Sequence, residues 1–336
     1  MRQDATAVRM ATATSWRQNG GMPPASSTSK ADVRAVLARV LLTREVGQRI
    51  PTVQDLQHTS RAGAGTVVKA LRSLQDTGAI TLSSHGHQGT LVVSRNVGQL
   101  WREAQLGNFS LIMPPPGPVE QHGILEALQE PLARQGVPVV VNALAGARRR
   151  LERLHLENAD AVVTSAGAFE RHRDDFPGLR SLDLGESTFY SPGSLVVVES
   201  PKPVKGRRLR VGIDRASHDH QLLTETEFAD SDVEFVDWRF VSAPAAVLRG
   251  RVDAAIWHAM PTVISPELAG LNVRPLREST LDAVRDVTRA VLVTRELDAG
   301  VNALLRFVSP AEVIKIQERL LRLAASAESE TEFWPR

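Results

Sequence analysis

The 336-residue chain contains no cysteine. That excludes disulfides, cysteine–zinc sites, iron–sulfur ligation and a thiolate nucleophile together, and it fits a reducing compartment. Aromatic residues are scarce at 4%, with a single tyrosine, Tyr190. No run of about 18 apolar residues exists, so no membrane-spanning helix is expected. Residues 1–29 lack the apolar core of about 7–15 residues that marks a signal peptide. Those residues are rich in Ala, Thr, Ser, Gly and Pro and have no periodicity, so a disordered tail is expected there. The expected setting is the cytoplasm, without membrane contact. Enzyme signatures are missing as well: no Gly-x-Ser-x-Gly elbow, no Walker loop and no His-Glu-x-x-His. Gly63-Ala64-Gly65 lacks the third glycine and the preceding strand of a dinucleotide loop. No catalytic residue and no cofactor are therefore expected. No metal is expected either, because His218, Asp219 and His220 on a helix do not share a face.

What is present is enough apolar material for real cores, 42% of residues, and a length that suits about two domains at roughly 100–200 residues each. The net charge of +2 hides an asymmetry. Residues 1–98 hold 12 Lys/Arg against 5 Asp/Glu, a net of +7, and residues 99–336 hold 28 against 33, a net of −5. A basic first third joined to a mildly acidic remainder points to a polyanion for one part and another partner for the rest.

Periodicity divides the chain in the same place. Ser29 can cap a helix from Lys30, in which Val33, Val36, Leu37, Val40 and Leu41 form one stripe. Thr52 can cap a short helix over Val53 to His58. A polar turn follows, then a helix from about Thr66 to Thr77 with Val67, Ala70, Leu71 and Leu74 inward and Gly78 as its stop. Two β-rich runs, Ala79 to Leu82 and Thr90 to Val93, flank a Gly/His loop and predict a hairpin. This is the order of a winged helix-turn-helix over 30–98, mostly α with a β-ribbon wing. Its second helix suits a major groove about 12 Å wide, and its wing a neighbouring backbone or minor groove. Double-stranded DNA is the expected partner. The candidate contacts are Thr52, Gln54, Arg61, Thr66, Lys69, Arg72, Ser73, His85, His87 and Thr90.

From Leu106 onward strands and helices alternate: Phe109 to Met113, a helix with Pro118 at its first position, Val137 to Val141, a helix over Ala147 to Leu156, and Asp160 to Val163. Arg148-Arg149-Arg150 and Arg153 are expected to make a solvated helix face. A second similar unit follows in Leu209 to Ile213, a helix from His218, Val233 to Val236, Pro244 to Leu248, and Asp253 to Trp257. Leu195 to Val198 and Ala290 to Thr294 read as strands that can cross between the units. The last helix spans about Pro310 to Ala325, and 326–336 reads as a C-terminal tail. A bilobed α/β effector-binding domain over 106–325 is therefore expected, with parallel strands buried on both faces. Its ligand would sit between the lobes, beyond the strand ends. The candidate ligand contacts are Pro116, Gly117, Ser165, Gly167, Tyr190, Asp214, Ser217, Trp257 and His258. Helix N-termini facing that cleft favour a small anion or polar metabolite.

Ile50-Pro51-Thr52-Val53-Gln54-Asp55-Leu56, Thr66 to Leu74, Gly78-Ala79-Ile80 and Gly89-Thr90-Leu91-Val92 resemble the winged helix of GntR-type regulators. That family usually carries Arg or Ser-Arg-Thr where this chain has Gln54, Gly63-Ala64-Gly65 and Val68. The order of a GntR-like winged helix before a bilobed unit resembles the YhfZ family of regulators. The segments that carry this are Met113-Pro114-Pro115-Pro116, Asn158 to Val163, Asp230 to Glu234 with Val236-Asp237, and Arg251 to Trp257. The resemblance covers roughly residues 30–315 and implies a type 2 periplasmic-binding-protein-like effector domain, without naming its ligand. The expected activity is ligand-responsive transcription regulation by a homodimer. The alternative is a small-molecule binder or cleft enzyme whose winged helix serves mainly for dimerisation.

Overall fold

The computed structural model describes residues 30–202, 205–260, 262 and 264–325. The tails expected over 1–29 and 326–336, with the cap assigned to Ser29, lie outside these residues.

The N-terminal unit is a winged helix-turn-helix. Helix α1 (Lys30–Leu42) packs on α2 (Val53–Ser60) and α3 (Ala64–Asp76). Thr52 caps α2 in a full capping box: Asp55 N–H donates to Thr52 Oγ1 at 3.2 Å and Thr52 N–H donates to Asp55 Oδ2 at 2.9 Å. That satisfies two of the helix's free amides. Helix α3 begins two residues earlier than its apolar stripe predicts, with Gly63 as cap, and it buries Val67, Ala70, Leu71 and Leu74. Strands β1 (Ile80–Ser84) and β2 (Thr90–Arg95) form the antiparallel wing, joined by a short 3-10 turn over Gly86–Gln88.

A helix that periodicity does not announce, α4 (Val97–Glu103), follows the wing, capped by Asn96. It packs on α1 and on the later helix α12 (Ala299–Leu305). Gly98 explains how close it comes: a Cβ there would overlap the Gln135 carbonyl. Arg34 pairs with Glu103 at 2.8 Å and Arg306 with Glu45 at 2.6 Å. The winged helix is thus fastened to the body by packing and by ion pairs.

The body holds two five-stranded sheets. In the first lobe β3 (Phe109–Met113), α5 (Val119–Arg134), β4 (Val139–Ala143), α6 (Ala147–His155), β5 (Ala161–Ser165) and α7 (Ala166–His172) run in βαβ order, followed by β6 (Leu179–Asp183). In the second, β7 (Leu195–Glu199) precedes β8 (Leu209–Ile213), α8 (His218–Glu227), β9 (Val233–Asp237), α9 (Ala243–Leu248), β10 (Ala254–His258) and β11 (Asn272–Pro275). Two short helices, α10 (Glu278–Ala283) and α11 (Arg285–Thr288), lead to β12 (Ala290–Arg295), and α13 (Pro310–Ala325) closes the chain against α5.

The strand orders are β4-β3-β5-β12-β6 and β9-β8-β10-β7-β11. They are one pattern used twice. In each lobe three parallel strands are followed by an antiparallel strand that arrives from the other lobe: β12 pairs with β5 and β6, and β7 with β10 and β11. The bilobed α/β architecture is the expected one, but three details differ. The sheets are mixed rather than all parallel. β4 is an edge strand whose Val140 and Val141 are exposed rather than buried, because it pairs only with β3. Pro118 is the cap of α5 and not its first residue.

Candidate functional site

Each lobe presents the ends of its parallel strands and the start of its first helix to the other. The two faces meet through side chains. Gly117, with φ +144°, leaves room for Met260; a Cβ would stand 2.6 Å from its sulfur. Ser165, the last residue of β5, donates from Oγ to Asp219 Oδ1 at 2.8 Å, across from lobe one to the start of α8. Its Oγ also accepts the Ala168 amide at 3.1 Å and so caps α7. Glu120, at the start of α5, reaches the other way. Its Oε2 lies 3.2 Å from His258 Nε2 at the end of β10. Its Oε1 accepts from the Ser191 amide at 2.8 Å and the Ser191 hydroxyl at 2.5 Å.

Tyr190 and Ser191 belong to the segment that passes from β6 to β7. The Tyr190 ring stands edge-on to His258, centroids 4.8 Å apart, and to Phe189 at 4.9 Å. Its hydroxyl is 3.4 Å from His220 Nε2, the outer limit of a hydrogen bond. His220 stacks on Phe240 with 3.6 Å between centroids, and its Nδ1 has no described partner. Beneath them Arg150 is buried, with Nε on the Val163 carbonyl at 2.8 Å and Nη1 on the Leu144 carbonyl at 2.9 Å.

Burial and charge set the ionisation of this group. Burial pushes the Glu120 carboxyl up, but hydrogen bonds from His258 and Ser191 outweigh it and hold the group at about 2. An ionised carboxylate only accepts, so His258 Nε2 carries the shared proton. Burial pushes Asp219 up to about 6, against the Ser165 hydrogen bond and the Arg150 charge. Burial lowers Arg150 to about 10, opposed by the charge of Asp219. Burial also drives His220 down to about 3 and Tyr190 well above its usual range. At neutral pH the group therefore holds a charged Glu120, a neutral His220, a neutral Tyr190, and a charged Arg150 that acts on Asp219 without an ion pair between them.

Of the ligand candidates, the fold brings together Ser165, Tyr190 and His258. Asp214 is one loop away, where it accepts the amides of Ala216 at 3.1 Å and Phe240 at 3.2 Å and orders the entry to α8. Ser217 caps α8 from the backbone and is half-buried. Gly117 lies at the rim and Pro116 is exposed. Gly167 packs on Val287, and a Cβ would sit 3.0 Å from its side chain. Trp257 does not join the group. β10 alternates, so Trp257 points away from His258 into the second lobe's own apolar cluster with Val198, Ala246 and Val252. A groove of about 530 Å³ opens beside this region, lined by Asp214, Arg215, Asp237, Trp238 and Arg239.

Glu120, Asp219, His220 and Arg150 are the site residues that sequence reasoning did not select. Arg150 is a correction: of the basic run on α6 it is buried, not solvated. Ala147, Arg150, Leu151 and Leu154 follow i, i+3, i+4, i+7, so spacing already placed it on the inner face. Glu120 and Asp219 carry a quieter signal: each is the second residue of the first helix in its lobe.

On the winged helix, Thr52, Gln54, Arg61, Lys69, Arg72, His85 and His87 are exposed, and Thr66, Ser73 and Thr90 are half-buried. Ser73 leans toward α1, where it accepts from Arg34 at 3.3 Å. Arg61 takes the left-handed conformation at the end of α2. A groove of about 420 Å³ runs between α2, α3 and the wing and includes Thr52, Arg72 and Thr90. It is also lined by Arg49, exposed and pressed against Gly89 of the wing. Arg49 was missed; the basic residue just ahead of Ile50-Pro51 was its signal. Among the described residues, Arg49, Arg61, Lys69 and Arg72 have no ion-pair partner, whereas Arg34, Arg95 and Arg306 do.

Residues 96–328 match the YhfZ C-terminal domain family, and residues 45–92 match a helix-turn-helix domain family. The chain is 30% identical to the protein YhfZ of Escherichia coli (strain K12) over 278 residues, which is 82% of this chain and 89% of that protein. The crystal structure of YhfZ from Shigella flexneri is similar with a TM-score of 0.51 at 27% identity, covering 68% of this chain and 95% of that one. The periplasmic aliphatic sulphonate binding protein SsuA from Escherichia coli shows a weaker likeness, TM-score 0.45 at 16% identity over 65% of this chain and 77% of its own. No described helix is long and apolar enough to cross a membrane.

Proposed function

The chain belongs to the YhfZ family, and from the geometry above we propose that it is a DNA-binding transcription regulator whose effector binds between the two lobes. The observation that carries this is the pairing of two surfaces on one fastened frame. One is a winged helix that presents Arg49, Arg61, Lys69 and Arg72 without ion-pair partners among the described residues. The other is a two-lobed body whose facing ends are held together by side chains, Glu120 with His258 and Ser165 with Asp219. Cations free of partners are available to phosphate, and α3 supplies Thr66, Lys69 and Arg72 toward a groove. Lobes joined by a few polar bonds rather than one continuous sheet can exchange those bonds for bonds to a ligand, which makes closure ligand-dependent.

The protein acts in this reading as a homodimer on two half-sites. Because α4 fastens the winged helix to the first lobe, closure moves the second lobe relative to both. Closure therefore alters the spacing of two winged helices only where the second lobe touches the partner. Gel-shift titration on the DNA flanking its own gene tests the reading. The expected result is binding that weakens steeply with salt, since each phosphate contact lowers the logarithmic slope by about 0.9. Absence of salt-dependent binding would overturn it and return the chain to the class of binders whose winged helix only dimerises.

A further inference from the structure

Ser165 and Arg150 lie buried at one end of the interlobe face, and both belong to the first lobe. What Ser165 holds comes from the second: the Asp219 carboxylate, 5% exposed, accepts from its hydroxyl at 2.8 Å, and the Arg150 charge acts on that carboxyl with no ion pair between them. Arg150 is the one Lys or Arg among the buried described residues. Two of its N–H groups are spent on the Val163 and Leu144 carbonyls, which fix the guanidinium plane and leave the remaining donors for a planar acceptor. An oriented hydroxyl in the field of a fixed guanidinium suits a carboxylate, and here the hydroxyl is taken by a side chain on the opposing lobe.

Resting on the regulator reading above, we propose that the Arg150–Ser165 end of the cleft is the effector's anchor, that the effector carries a carboxylate group, and that Asp219 occupies its place until the effector displaces it. The single buried cation favours one negative charge over two. Glu120 and Asp214 already act on Tyr190 with their negative charge, and a dianionic phosphate would add to it. Displacement also gives binding a mechanical consequence. The effector's carboxylate takes the Ser165 hydroxyl that tied the second lobe down, so the lobe is held by the effector's other groups or released.

Truncation of Asp219 tests this with a small probe. Asp219→Ala removes the carboxylate and opens a space that acetate fits. Sodium acetate is expected to raise the melting temperature of Asp219→Ala by a few degrees over sodium chloride at equal ionic strength, through mass action. Acetamide is expected to have no such effect, and Ser165→Ala in the same background is expected to abolish the acetate shift. Asp219→Asn keeps the space filled and is expected to be indifferent to acetate. Asp219→Ser, which retains a hydroxyl toward Ser165, serves where the alanine variant does not fold. Superimposable acetate and chloride curves would overturn the carboxylate anchor. Gel shifts run in parallel separate the two readings. DNA binding without an acetate shift removes the anchor alone, and an acetate shift without DNA binding removes the regulator and leaves the anchor.

Discussion

Ser165 and His258 occupy the same place in the two lobes. Each ends the third parallel strand of its sheet, β5 and β10, and each bonds across the cleft to a carboxylate at the second residue of the opposite lobe's first helix. The carboxylates, Asp219 and Glu120, are therefore also equivalent. The chemistry at the two ends has diverged. His258 gives Glu120 a strong donor and Ser191 gives it two more, so that end is fully satisfied and charged. Ser165 gives Asp219 one neutral donor, and burial leaves that carboxyl near about 6. One end is a permanent clasp and the other is poised.

The clasp predicts a cost. Glu120→Gln keeps the shape but removes the charge that His258 and Ser191 address, and it sets an amide N–H against His258 Nε2. Leaving a buried donor without its acceptor costs about 1–3 kcal/mol. The isosteric amide can still accept from Ser191, so a loss of about 2 kcal/mol is expected. Urea denaturation near neutral pH checks it. A change under about 1 kcal/mol would show that the clasp adds little.

Acid dependence should separate the two ends. Glu120 sits at about 2, below its usual value, so its contribution is present above about 4.5 and is lost as pH falls toward about 2. It is faced by His258, Ser191 and the buried Gln317, whose amide donates to the Glu120 carbonyl at 2.8 Å. Asp219, raised to about 6 and faced by Ser165, Arg150 and Tyr190, has the opposite sign. The folded protein binds its proton more tightly than the unfolded chain does, so stability falls as pH rises from about 4 through about 6. Asp219→Asn should lose that fall. Its stability relative to the native chain should rise across this window by up to about 3 kcal/mol, read from urea midpoints at several pH values. Parallel curves for the two proteins would contradict the assignment.

Three basic residues carry the expectation for DNA. Lys69→Ala and Arg72→Ala remove cations on α3, and Arg49→Ala removes the one beside the wing. Each should weaken binding on any sequence and reduce the salt slope by about 0.9 if it touches one phosphate. Serial gel shifts from low to moderate salt measure both quantities. An unchanged slope in all three variants would place the interface elsewhere.

How much of this was legible beforehand follows from how local each signal is. The capping box at Thr52 and the stripe Val67, Ala70, Leu71, Leu74 lie within one or two turns, and the winged helix could be read from them. Phe109–Met113 and Leu209–Ile213 are short β-rich runs and were placed to the residue. β6 and β11, with Arg180, Asp183 and Arg274 among few apolar residues, look like loops. They are strands because β12 and β7 supply partners from far along the chain. Tyr190 and His258 were selectable as a lone tyrosine and a strand-end residue. Their pairing with Glu120 and His220 depends on closing two lobes, and no local pattern records that. The basic run on α6 shows the opposite failure: the helical spacing was sufficient to place Arg150 inside, but its charge argued for solvent.

The last expectation concerns the joint between DNA head and body. α4 has seven residues and includes Gly98, so intrinsic propensity does little for it. Packing holds it, through buried Val97, Leu100 and Trp101 and the close approach of Gly98 to the Gln135 carbonyl. A backbone carbonyl in the turn after α5 cannot swing aside as a side chain does, so Gly98→Ala must push α4 away from the first lobe. Overpacking of this kind costs about 1–3 kcal/mol, and the strain falls on the contacts of α4 with α1 and α12. The variant should keep both its winged helix and its lobes but lose their fixed relation. In native-state hydrogen exchange the α4 amides should then exchange faster, while β3 and α3 retain their protection. DNA affinity of the variant should persist, and any response of that affinity to a cleft ligand should shrink. Uniform loss of protection across α3, α4 and β3 would mean that the joint is part of one cooperative core and not a coupling element.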